Sequence, residues 1–172
     1  MRILGVDPGL IRTGYGVIEV TGGCNMKLIE AGVIRTTSGE RIAKRLTDIF
    51  QNLTDVIQEH RPEVLVLEKI YSHYKHPATA ILMGHARGVV CLVSGLNNIQ
   101  LVNYAASRIK KAVTGNGRAT KTQVQQTVKA MLGLKKAPDP VDISDALAIA
   151  MSFVYIEGNR EKTNKLKVAG IL

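Results

Sequence analysis

The sequence predicts an α/β domain with a mixed five-stranded sheet flanked by helices, and three observations carry that expectation. Two short apolar runs, Ile3-Leu4-Gly5-Val6 and Val64-Leu65-Val66-Leu67, have the composition of core strands, and each stops on a carboxylate, Asp7 and Glu68. Residues 14–20 and 26–35 have strand character and are joined by Thr21-Gly22-Gly23-Cys24-Asn25, so three strands meander before anything else forms. Residues 40–60 then repeat apolar side chains (Ile42, Leu46, Ile49, Phe50, Leu53, Val56, Ile57) at steps of three and four, one face of an amphipathic helix that packs on the sheet.

The remaining elements follow in order. Arg61-Pro62 ends the helix. The 64–67 run is the fourth strand, and a helical crossover makes it parallel to the first. Asp7 and Glu68 then stand at the same end of neighbouring strands, which lie about 4.8 Å apart, close enough for both carboxylates to share an ion. Each acid also has a purely structural explanation: Asp7 as the start of an Asp-Pro-Gly turn, Glu68 as a polar strand end. Residues 71–76 form a loop in which Tyr71 is placed to stack on a base and Lys75 to reach a phosphate, although a tyrosine capping the core fits equally well. Residues 77–95 are helical, with too many apolar positions for one stripe, and Gly84 and Gly88 would permit close approach of a second subunit or of the helix's own sheet.

Residues 99–102 are a fifth strand, and 105–113 a short basic helix carrying Lys110 and Lys111. The turn Gly115-Asn116-Gly117-Arg118 leads into a helix over 120–132, where Thr120 is the N-cap and Arg118 and Lys121 flank a helix start suited to a phosphate. Asp139, Asp142 and Asp145 follow. Asp142 suits a first helical turn, and Asp145 lies one turn later on the same face, just before Ala146-Leu147-Ala148-Ile149-Ala150 enters the core. Residues 1–156 are expected to form the domain and 157–172 a basic, flexible C-terminal tail.

The 172 residues fit one domain with a core of its own. Cys24 and Cys91 have no metal-like spacing, which favours a reducing, cytoplasmic setting. The most apolar stretches are interrupted by Gly, His or Arg, so no membrane role is expected. The net charge of +9 has a location. The 70 residues between Glu68 and Asp139 contain no acid but 11 bases: Lys69, Lys75, Arg87, Arg108, Lys110, Lys111, Arg118, Lys121, Lys129, Lys135 and Lys136. A solvated face normally mixes both signs, so a segment this one-sided indicates a polyanionic partner, nucleic acid above all.

Oxygen ligands from three segments, without cysteines or clustered histidines, suit Mg²⁺ or Mn²⁺ rather than Zn²⁺. Asp7, Glu68, Asp142 and Asp145 could hold two such ions, the arrangement used for phosphodiester hydrolysis. Taken in order, Gly5-Val6-Asp7-Pro8-Gly9, Leu67-Glu68, Gly84-x-x-Arg87-Gly88, Tyr104-Ala105-Ala106, Lys121-x-Gln123-Val124 and Asp142-x-x-Asp145-Ala146-Leu147 resemble the bacterial RuvC Holliday junction resolvases across residues 1–156. The resemblance implies a ribonuclease H-like fold with strand order 3-2-1-4-5. It also implies a homodimeric Mg²⁺-dependent endonuclease that nicks two opposing strands of a four-way junction and works with a branch-migration complex of the RuvA and RuvB type. By position it makes Asp7, Glu68, Asp142 and Asp145 the metal-binding acids and Lys110 and Lys121 basic residues near the scissile phosphate. Tyr71 stands where the family usually has a phenylalanine.

Other classes share parts of this pattern. Actin-like ATPases open with a similar Gly-x-Asp-x-Gly turn but need two such domains. A non-catalytic DNA-structure-binding module needs only the basic middle, and a ribonuclease acting on RNA–DNA hybrids shares the acids.

Overall fold

The computed structural model describes residues 1–69 and 77–168. Strands β1 (Arg2–Asp7), β2 (Arg12–Val20), β3 (Met26–Arg35), β4 (Val64–Glu68) and β5 (Gln100–Tyr104) form one sheet in the order 3-2-1-4-5, the ribonuclease H-like arrangement expected. The β1–β2 and β2–β3 pairs are antiparallel, while β1–β4 and β4–β5 are parallel. The helices are α1 (Ile42–His60), α2 (Pro77–Leu96), α3 (Ala106–Thr114), α4 (Lys121–Met131) and α5 (Val141–Val168).

Alternation along the strands separates two cores. Ile3, Ile18, Val64 and Val66 point to one face, where Ile109 and Val113 of α3, Val124 and Val128 of α4 and Leu147 to Met151 of α5 cover them. Leu4, Val6, Val17, Leu65 and Leu67 point to the other, under Ile49, Leu53, Val56 and Ile57 of α1 and Val90 and Val93 of α2. Side chains of this size contribute about 1.5–3 kcal/mol each when fully buried. Helix α1 stops where Arg61 turns left-handed (φ 47°) and its N–H returns to the Ile57 carbonyl at 2.8 Å, just before Pro62.

Glycines seat the longest helix. Gly5 pairs with Gly16 and Asp7 with Gly14 across β1 and β2, and α5 lies directly on these backbones. A Cβ at Gly5 would come within 2.2 Å of the Ala146 carbonyl oxygen, and one at Gly14 within 2.2 Å of the Asp142 carbonyl oxygen. The first turns of α5 are thereby held against the Asp7 end of β1. The helix continues to Val168, well past residue 156, so the segment expected to be a tail starts as an extension of α5. Its Glu, Lys, Arg and Leu residues are strong helix formers.

Candidate active site

Three elements deliver the acids. The β1–β4 register pairs Val6 with Leu67, so Asp7 and Glu68 leave adjacent parallel strands at the same level. Asp142 and Asp145 occupy the first turns of α5, beside the same strand ends. Asp7, Glu68 and Asp145 line one cavity of about 240 Å³ together with Lys110 of α3 and Lys121, the first residue of α4. Asp142 does not line that cavity; it lies one turn before Asp145 on α5, close enough for its charge to act weakly on Asp7. Lys121 Nζ donates to Asp145 Oδ2 at 3.0 Å.

The electrostatics record this crowding. Burial, followed by the charges of Asp145 and Glu68, pushes the Asp7 carboxyl from 3.8 up to about 6, with Lys121 opposing. Glu68 is raised by burial and then by Asp145, against the pull of Lys110 and Lys121. Lys121 is raised by its hydrogen bond to Asp145 and by that residue's charge. Asp142 Oδ2 is buried and accepts no hydrogen bond from the described residues. Among the described residues its nearest cation, Arg12 Nη1, stands 3.8 Å away, beyond hydrogen-bonding range. Arg12 therefore offsets the charge of this oxygen without hydrogen-bonding it, which leaves its lone pairs open to a cation. An all-oxygen donor set of mutually repelling carboxylates fits a hard divalent ion.

The other residues singled out from sequence are more scattered. Lys111, on α3, and Arg118, in the turn before α4, do not line the cavity. The turn itself is an ordinary cap: Thr120 Oγ1 accepts from the Gln123 N–H at 3.2 Å, and the Gln123 side chain accepts from the Thr120 N–H at 2.8 Å. Tyr71 and Lys75 lie outside the described residues. Two arginines were missed. Arg12 borders Asp142, and Arg87 donates to the Glu68 backbone carbonyl at 2.5 Å and to Asn103 Oδ1. Arg87 sits inside a stretch already singled out, yet nothing in the sequence indicates its acceptors. A second grouping of possible ligands, Glu30, Glu59 and His60, is partly self-satisfied: Glu30 accepts from Tyr15 Oη at 2.6 Å and meets His60 Nε2 at 2.5 Å.

The family model described as crossover junction endodeoxyribonuclease RuvC matches residues 3–153. The chain is 45% identical over 157 residues to the protein of that name from Rhodopirellula baltica, covering 91% of this chain and 88% of the relative. It is 42% identical over 154 residues to the one from Caldicellulosiruptor saccharolyticus, covering 90% and 92%. Among solved structures, T. thermophilus RuvC in complex with Holliday junction substrate superposes with a TM-score of 0.87 at 31% identity, covering 92% of this chain and 95% of that one. Its sheet order, its carboxylates at the ends of β1 and β4 and these matches along nine-tenths of its length agree: the chain belongs to the RuvC family of crossover junction endodeoxyribonucleases.

Proposed function

We propose that this chain is a Mg²⁺-dependent endonuclease that resolves Holliday junctions by paired, symmetric nicks in opposing strands, in recombination and DNA repair. The observation that carries the reading is the convergence of Asp7, Glu68 and Asp145 with Lys110 and Lys121 on one cavity, with Asp142, whose Oδ2 accepts no hydrogen bond from the described residues, one helical turn from Asp145. Asp7, Glu68, Asp142 and Asp145 would hold two Mg²⁺ ions, with Mn²⁺ a substitute. When bound, the ions supply an acidified water and charge stabilisation at the leaving oxygen. The protein's own part is placement. The strand ends and α5 fix the carboxylates, and Lys121 and Lys110 offset their repulsion of an approaching phosphate. Lys111 and Arg118 extend the basic surface along the strands, where Tyr71 would stack and Lys75 would contact the backbone.

A C2 homodimer suits a junction with two-fold symmetry. Helix α2 offers the surface: Ile81, Leu92 and Leu96 are 61%, 55% and 61% exposed, and there is open space above Gly84 and Gly88. The window Thr79–Leu96 is also long and apolar enough to cross a membrane. Arg87, inside that window, is engaged with the strand ends, so we assign the apolar face to a second copy of the chain. We assign residues 1–156 to the nuclease domain and the remaining residues to a basic C-terminal segment that begins as the outer part of α5; the setting we assign to the cytoplasm and the partner to a RuvA and RuvB type branch-migration complex on family membership.

The test offers a synthetic four-way junction, its duplex arms and an RNA–DNA hybrid to the protein with and without Mg²⁺. Ligatable nicks at symmetric positions, in the junction alone and only with Mg²⁺, are expected. Binding without nicking would leave a DNA-structure-binding module, and cleavage of the hybrid would leave a ribonuclease.

A further inference from the structure

Arg87 lies on the sheet side of α2, flanked by the fully buried Ala86 and Val90. Its guanidinium spans the ends of two strands. Nη1 donates to the backbone carbonyl of Glu68, the last residue of β4, at 2.5 Å, and Nη2 donates to Asn103 Oδ1 on β5. Asn103 is in register with Leu67, so the fork ties the final step of β4 to its neighbour. One residue later the Lys69 N–H bonds the Tyr104 carbonyl at 2.8 Å, closing the same corner from the other side. Both acceptors of Arg87 are neutral oxygens. What a rigid two-pronged donor adds here, and a single ammonium does not, is a fixed geometry between two strands. The residue whose main chain it holds is the one whose carboxylate faces Asp7 and Asp145.

We propose that Arg87 is a positioning residue for Glu68: it clamps the end of β4 so that the Glu68 carboxylate stays aimed into the acid cavity. This inference rests on the metal-binding reading of that cavity. Groups that orient metal ligands typically change affinity 10- to 100-fold when lost.

The test measures Mn²⁺ binding, from the electron paramagnetic resonance of the free ion, without DNA or turnover. The proteins are wild type, Arg87→Gln, Arg87→Lys, Glu68→Gln and the double variants with Glu68→Gln, each first checked for a cooperative thermal transition. Arg87→Gln is expected to weaken Mn²⁺ binding about tenfold, and Arg87→Lys, which keeps the charge but not the fork, to fall between. In the Glu68→Gln background neither Arg87 change should weaken binding further, because the residue it positions is already silent. An equal loss in both backgrounds, or wild-type binding by Arg87→Gln, overturns the clamp. If Arg87→Gln does not fold, the Arg87→Lys cycle decides by the same criterion. Wild-type Mn²⁺ binding by Glu68→Gln would instead overturn the metal reading itself, and this inference with it.

Discussion

Asp7→Asn should make the protein more stable while removing its chemistry. In the folded chain, burial and the charges of Asp145 and Glu68 hold the Asp7 proton until about pH 6, whereas an unfolded aspartate releases it near 3.8. A carboxyl whose folded pKa is raised opposes folding once it ionises. The penalty is absent below about pH 3.8, grows between 3.8 and about 6, and is fully present above. That interval corresponds to about 3 kcal/mol, at about 1.4 kcal/mol per pH unit. Urea unfolding in a chelating buffer at pH 4 and pH 7.5 measures it. Asp7→Asn should gain up to about 3 kcal/mol over wild type at pH 7.5 and close to nothing at pH 4. Adding Mg²⁺ at pH 7.5 should stabilise wild type far more than the variant, since only wild type keeps the full carboxylate set. Junction cutting should be abolished and junction binding nearly unchanged. Equal stability at pH 7.5, or the same gain at both pH values, would refute the idea that burial and the neighbouring acids destabilise the Asp7 carboxylate.

Two further outcomes test how the site is seated and duplicated. In Gly14→Ala the new Cβ would sit 2.2 Å from the Asp142 carbonyl oxygen, so α5 must retreat; we expect a loss of about 1–3 kcal/mol in urea unfolding and about 100-fold in single-turnover nicking, and undiminished nicking would show that the seating of Asp142 does not matter. Leu92→Glu places a charge on a side chain that is 55% exposed; sedimentation should show a monomer that no longer makes paired nicks, with folding stability within about 0.5 kcal/mol of wild type, and a persisting dimer would remove α2 from the interface.

The acids were legible because local rules placed them. An apolar run that ends on a carboxylate reads as a strand end, and two such runs joined through a helix put Asp7 and Glu68 side by side, as the register of Val6 with Leu67 bears out. The three-residue spacing of Asp142 and Asp145 likewise set both on one helical face. What stayed hidden depends on how far side chains reach between elements. Arg87 meets a carbonyl 19 residues away, and Arg12 approaches Asp142 across most of the chain; neither contact has a periodic signature. The glycines of β1 and β2 read as weak strand positions until α5 is seen resting on them. The extent of α5 was missed because its outer half has helix-forming composition but no apolar stripe to announce it.

The placement of charge explains why metal and DNA should bind interdependently. Burial, and after it the repulsion among acids collected at one end of the sheet, raises Asp7 and Glu68, and Lys121 relieves this only in part while its Nζ is engaged with Asp145. A phosphate approaching the basic α3 and α4 surface would meet that same negative cavity. A divalent ion reverses the local sign, so it relieves the repulsion among the acids and the repulsion of the phosphate together. By linkage, whatever the ion adds to DNA affinity the DNA must add to ion affinity, by the same factor. On this reading Lys110 and Lys121, which line the pocket, would draw a phosphate toward carboxylates that accept it once a cation neutralises them.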